Sequence, residues 1–213
     1  MEQSQFSNIL TRGGTILGTS RRPFRDMRVI GDDNVDKVAE MKRNYRAMRL
    51  DCLVTLGGNG THKTANMLSE EGLNVIGLPK TIDNDLYGTD FTFGFHTAVE
   101  IATDVVDRIH TTAASHGRCM VIELMGNKVG WLTLYAGMAG GADIILLPEI
   151  PYDIEKVAQV VETRARLNKS FSIIAVAEGA MDQEESDMKR REREAARDAS
   201  EYHSISHRIA AQI

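Results

Sequence analysis

Polar residues collect in five short blocks, each placed where an apolar run ends: Gly57-Gly-Asn-Gly-Thr61, Pro79-Lys-Thr-Ile-Asp-Asn-Asp85, Glu123-Leu-Met-Gly126, Pro148-Glu149 and Ala177-Glu-Gly179. Glycines between a strand and a helix let the backbone approach a phosphate, and a helix N-terminus supplies N–H donors for it. Such a turn also serves tight packing alone, and it matches neither the Walker pattern nor G-x-G-x-x-G. Asp83 and Asp85 follow a buried run, where carboxylates suit a general base or a metal ligand; capping a turn is the plainer role. Lys80 and Thr81 add a cation and a hydroxyl, both suited to phosphate, although Lys80 could equally be a solvated lysine. Arg21 and Arg22 follow Gly13-Gly-Thr-Ile-Leu-Gly-Thr-Ser20, and Arg118 follows Ser115-His116-Gly117. Guanidinium forks fit phosphate oxygens, but a lone exposed arginine usually binds nothing specific. His116 has no neighbouring partner for a catalytic triad, and His62 and His110 read as structural. No Cys/His set has zinc spacing.

The elements that must carry these residues follow from hydrophobic periodicity. Val35, Val38, Met41, Tyr45 and Met48 form one helical face over 34–49, with Asp33 or Asn34 as its cap. An apolar strand over 52–56, a helix over 61–71 closed by Gly72, and a strand over 74–78 make a βαβ unit. Further alternation predicts a helix through Phe95, Ala98, Ile101, Val105 and Ile109, and strands over 119–124, 144–147 and 172–177. Helices to about Ala139 and over 154–167 separate those strands. Near-continuous apolar strands between helices imply a parallel sheet covered on both faces, so the fold class is α/β with mainly parallel, Rossmann-like layers.

The tail differs. Residues 183–200 are densely charged, including Lys189-Arg-Arg-Glu-Arg-Glu194, and read first as a solvated helix, with a phosphate-binding or partner surface as the alternative. Tyr202, Ile205, Ile209 and Ile213 then form an apolar stripe that needs a partner. The chain has 213 residues, 42% of them hydrophobic, and a net charge of −5, which argues against global disorder and general nucleic-acid binding. Apolar runs fall short of a membrane span, and Cys52 and Cys119 sit in apolar segments, as reduced thiols do in a cytoplasm.

In order and spacing, these blocks resemble those of the phosphofructokinases, from about Leu10 to the end, with Pro-x-Thr-Ile-Asp-Asn-Asp the most specific. The resemblance implies ATP-dependent phosphorylation of fructose 6-phosphate at its 1-hydroxyl, a step of glycolysis, with Mg2+, in a homodimer or homotetramer. By resemblance, Asp83 is the general base, Asp85 a magnesium carboxylate, and Thr81, with Lys80, a neighbour of the transferring phosphoryl. Arg118 reaches the sugar phosphate, often across a subunit interface. Met125, Gly126 and Glu178 contact the sugar phosphate. Arg21, Arg22, Gly57, Gly58, Asn59, Gly60 and Thr61 contact the donor.

Departures from the family pattern qualify this. Asn59 stands where an aspartate usually helps hold magnesium, so the loop should bind metal weakly. Gly60 matches ATP users, whereas Lys80 matches pyrophosphate users. Asn127 replaces a common arginine. The resemblance further implies a longer protein. Residues 1–95 would be a donor lobe lacking its first strand and glycine loop, and 96–213 a fructose 6-phosphate lobe cut short at its C-terminal end. A pyrophosphate-dependent enzyme and a non-catalytic remnant or binding module stand as the competing readings.

Overall fold

Strand and helix alternate from Lys37 onward. The structure, a computed structural model, describes residues 6–19, 24–30, 35–202 and 204–213. Arg21, Arg22, Asp33 and Asn34 therefore lie outside the described residues. Helix α1 spans Lys37–Ala47, β1 Leu53–Gly57, α2 Asn59–Glu70, β2 Val75–Pro79 and α3 Phe95–His116. They are followed by β3 Cys119–Leu124, α4 Trp131–Ala139, β4 Ile144–Leu146, α5 Ile154–Arg166 and β5 Ser172–Ala177. Three helices end the chain: α6 Gln183–Asp187, α7 Arg190–Asp198 and α8 Ile205–Gln212.

Packing divides the chain into two units, Met1–Leu53 with Lys63–Ile76, and Val54–His62 with Gly77–Ile213. This division runs through β1 and α2 and not through residue 95, because residues 77–94 fold back onto their own turn and onto the start of α3.

In the first unit, Met27, Val38, Met67, Leu68 and Leu73 form a buried cluster. Asp36 caps α1, its carboxylate accepting from the N–H groups of Val38 and Ala39 at 3.0 Å, so the cap lies beyond the expected Asp33 or Asn34. Gly72 closes α2 at φ +86°, where Leu73 N–H returns to the Leu68 carbonyl. β1 and β2 pair in the same direction: Leu53 N–H donates to Asn74 O at one end and Lys80 N–H to Gly57 O at the other, both at 2.9 Å.

The second unit is built on a parallel sheet of order β3-β5-β4, with Cys119 opposite Ser172 and Ile144 opposite Ile174. Every residue of the central β5 is buried. Its alternating side chains enter two cores. Ile173 meets Val106 and Ala113 of α3, while Ile174 and Val176 meet Val157 of α5 and Ile205 and Ile209 of α8. Cover on both faces explains why β5 is apolar without alternation.

Three expectations are corrected here. The charged tail is two helices, not one solvated helix. Its Glu185 is buried, and accepts from Arg197 at 3.0 Å and Arg208 at 2.7 Å. A charged residue can be buried there because paired guanidinium groups replace water. Ile205 and Ile209 already have their partners in the β5 core, whereas Tyr202 and Ile213 of that stripe are exposed. Cys119 is exposed, because β3 lies at the sheet edge.

Candidate active site

The glycine turn is shorter than its sequence suggests. β1 ends at Gly57 and α2 begins at Asn59, two residues before the expected Thr61. Gly58 alone links them, and its carbonyl accepts the N–H of His62 at 3.1 Å, the first helical bond. Gly57 is buried beneath the helix it precedes. A Cβ there would lie 2.2 Å from Thr61 Oγ1, so only glycine permits this approach. Asn59 and Gly60 occupy the exposed first turn, and a Cβ at Gly60 would meet no atom within 4 Å. Asn59, Gly60 and Thr61, read as donor contacts, thus form the first turn of α2, with open space beside Gly60.

The second block abuts this turn. A Cβ at Gly58 would lie 3.9 Å from Thr81 Cβ. Lys80 forms a parallel bridge with Phe93, and Phe93 N–H donates to Pro79 O at 2.8 Å. Buried Thr92 closes the loop: its hydroxyl donates to Thr81 O at 2.7 Å, and its N–H donates to Asn84 Oδ1 at 2.9 Å. Asn84 adopts φ +55°, a left-handed conformation that asparagine tolerates better than most residues. Asn84 and Thr92 are positioning residues that sequence reasoning missed. The signal available was the asparagine between two aspartates, a residue type that turns favour.

Asp83 is half-buried within this turn, and its N–H donates to Thr81 Oγ1 at 3.2 Å. Burial pushes its carboxyl above the usual range, and the charges of Asp85 and Glu178 push in the same direction. Asp83, Asp85 and Glu178 thus bring negative charge to one place, although 95 residues separate the first and last. Among the described residues no ready group of three acidic, histidine or cysteine side chains would hold a metal ion. Magnesium does not need one, since it keeps several waters and takes one or two carboxylates together with substrate phosphates. The mutually repelling Asp83 and Asp85 fit that requirement.

The ends of β3 and β5 supply the third part. Glu178 Oε1 accepts the backbone N–H groups of Gly126 at 3.0 Å and Asn127 at 2.6 Å. Gly126 has φ +148°, and a Cβ there would lie 2.5 Å from Val129 O. Met125 beside it is exposed. Glu149, from the fourth polar block, accepts the N–H of Gly130 at 2.8 Å at the start of α4.

Arg118 is not brought to this cluster. It is exposed at the beginning of β3, whereas Met125 and Gly126 follow the end of that strand. Six strand residues at roughly 3.3 Å each separate the two ends. Arg21 and Arg22 fall outside the described residues. Among the described residues no helix is long and apolar enough to cross a membrane.

Comparisons with known proteins place the chain in a family. The family model described as Phosphofructokinase matches residues 1–213. An ATP-dependent 6-phosphofructokinase of Spirochaeta thermophila is 61% identical over 184 residues, which are 85% of this chain and 50% of the relative. ATP-dependent 6-phosphofructokinase 3 of Bacteroides thetaiotaomicron is 53% identical over 176 residues, 82% of this chain and 52% of the relative. A solved phosphofructokinase structure from Saccharomyces cerevisiae matches with a TM-score of 0.77 at 30% identity, covering 92% of this chain and 29% of that one. The chain spans about half the length of the curated relatives it matches. With a family match over the whole sequence and relatives this similar, the chain belongs to the phosphofructokinase family.

Proposed function

We propose that the protein transfers the γ-phosphoryl group of ATP to the 1-hydroxyl of fructose 6-phosphate, giving ADP and fructose 1,6-bisphosphate in glycolysis. The observation that carries this reading is Asp83: a half-buried carboxylate of raised pKa, on a turn packed against Gly58 at the start of α2. A general base works best when its pKa approaches the working pH, and burial beside other carboxylates moves it that way. Asp83 takes the proton of the sugar hydroxyl as its oxygen attacks phosphorus. Gly57, Gly58, Asn59, Gly60 and Thr61, with Arg21 and Arg22, receive the donor phosphates. Met125, Gly126 and Glu178 orient the sugar phosphate.

Mg2+, held by Asp85 with weak help from Asn59, would neutralise phosphoryl charge when bound. Thr81 and Lys80 stand beside the transferring group. Phosphoryl transfer depends mainly on such positioning and charge neutralisation. Residues up to about 95 serve the donor and residues 96–213 the sugar. The distance of Arg118 from the cluster supports its reaching the site of a second copy in a homodimer or homotetramer. We place the enzyme in the cytoplasm, in keeping with its free cysteines.

Lys80 favours pyrophosphate as the donor, whereas the open space at Gly60 and the names of the relatives favour ATP. A coupled assay on the full-length protein, with ATP and pyrophosphate in parallel, tests the choice. Turnover with ATP is expected. Turnover with pyrophosphate alone would overturn the donor assignment, and full activity of Asp83→Asn would overturn the mechanism.

A further inference from the structure

We propose that Glu123 is a positioning residue for the sugar-phosphate half of the site, acting through α8, an inference that rests on the reaction proposed above. Glu123 opens the third polar block and has no role among the residues assigned to the donor, the metal or the sugar. It is exposed at the penultimate position of β3, just before Met125 and Gly126. Its Oε2 accepts both the backbone N–H of Ser206 at 3.0 Å and the Ser206 hydroxyl at 2.7 Å, across 83 residues of sequence. Bonds to an ionised oxygen are the stronger kind, and this carboxylate also meets the positive end of α8.

With 8 residues, α8 is too short to persist as a helix by itself, so its contacts hold it. Two caps meet its first donors: Ser204 Oγ accepts the N–H of His207, and Glu123 accepts that of Ser206. Ile205 and Ile209 bury beside Ile174 and Val176. Arg208 reaches Glu185, beyond β5, at 2.7 Å and the Tyr152 hydroxyl, beyond β4, at 3.1 Å. Through Glu123, Tyr152 and Glu185, α8 therefore ties together the carboxyl ends of all three strands, the end of a parallel sheet where ligands bind. Residues 123–126 are gripped twice. The Glu123 side chain is held by α8, and the backbone is held by Glu178, whose N–H donates to Leu124 O at 2.9 Å and whose carboxylate accepts from Gly126. Losing the first grip frees Met125 and Gly126 to shift. None of these bonds involves β1 or α2, so the donor turn at Gly58 is unaffected.

Hydrogen–deuterium exchange and steady-state kinetics on the full-length protein test this. In Glu123→Ala, amides of residues 119–130 and 204–212 should exchange about tenfold faster, and those of 53–70 at the parental rate. KM for fructose 6-phosphate should rise about tenfold while KM for ATP stays unchanged. Glu123→Gln keeps an acceptor oxygen and should recover much of both effects. Adding Ser206→Ala to Glu123→Ala should change nothing further, because the pair acts as a unit. Should Glu123→Ala fail to fold by circular dichroism, Ser206→Ala, which removes only the hydroxyl bond, carries the same comparison with smaller shifts. A merely structural role would raise both KM values together and speed exchange throughout the protein. That uniform outcome overturns the proposal, as does an unchanged KM for fructose 6-phosphate or unchanged exchange at 119–130. A parent protein that does not turn over fructose 6-phosphate overturns the proposed reaction instead, and the exchange rates then decide by themselves whether Glu123 holds residues 123–126.

Discussion

The Glu178 carboxylate accepts the backbone N–H of Gly126 at 3.0 Å, across 52 residues of sequence. Through this bond and its companion to Asn127, one side chain after β5 fixes the loop after β3. Glu178→Ala removes the acceptor and leaves two N–H donors unmet, which should cost about 1–3 kcal/mol in urea unfolding. Glu178→Gln keeps an acceptor oxygen and should recover part of that loss. Equal stability of both variants and the parent would show that the bonds contribute nothing.

Asp83 should set the acid limb of the pH–rate profile. Its carboxyl is raised by burial, then by Asp85 and Glu178, and the base must be unprotonated to act. Activity therefore falls at a higher pH than for an ordinary carboxylate as acid is added. Glu178→Gln removes one repelling charge, so the limb of kcat/KM should move to lower pH. Asp83→Asn should lower kcat by about 10²- to 10⁴-fold in the full-length protein. A limb that stays in place in Glu178→Gln would separate Asp83 from that charge.

Glu185 should make stability depend on acid. Burial alone would push its carboxyl up, but hydrogen bonds from Arg208 and Arg197, together with their charges, hold it down at about 2. Its contribution is complete above about pH 4.5 and is lost as pH falls towards 2, because the folded state then gives up a favourable charge. Integrated, this is about 3 kcal/mol. Glu185→Gln strands two guanidinium groups and should cost about 3–5 kcal/mol at neutral pH, read by urea unfolding. The variant should also lose the steep decline below pH 4.5 that the parent shows.

Two glycines of one turn should respond with opposite signs. Gly57→Ala drives a methyl to 2.2 Å from Thr61 Oγ1 and should destabilise by about 1–3 kcal/mol. Gly60→Ala puts a methyl into open space within the first turn of α2 and should stabilise by up to about 1 kcal/mol. Thermal unfolding of the two variants checks both; matching signs would contradict the turn geometry.

Much of this protein could be read from order along the chain. Period-two and period-3.6 patterns are local, so β3 and β5 appear at their expected bounds and the α/β class with a parallel sheet follows. The blocks at strand ends named the candidate residues because parallel sheets gather ligands there. Local patterns do not report long-range pairing. The partnership of Glu178 with Gly126, the burial of Glu185 between Arg197 and Arg208, and the docking of Ile209 beside Ile174 join positions far apart in the chain. The charged tail misled for the same reason: charge density in sequence says nothing about which guanidinium will desolvate a carboxylate. Only the tertiary structure decided that Asp83 meets the fields of both Asp85 and Glu178, and that Arg118 lies at the far end of β3 from Gly126. Electrostatic coupling depends on distance in space, and the fold sets that distance.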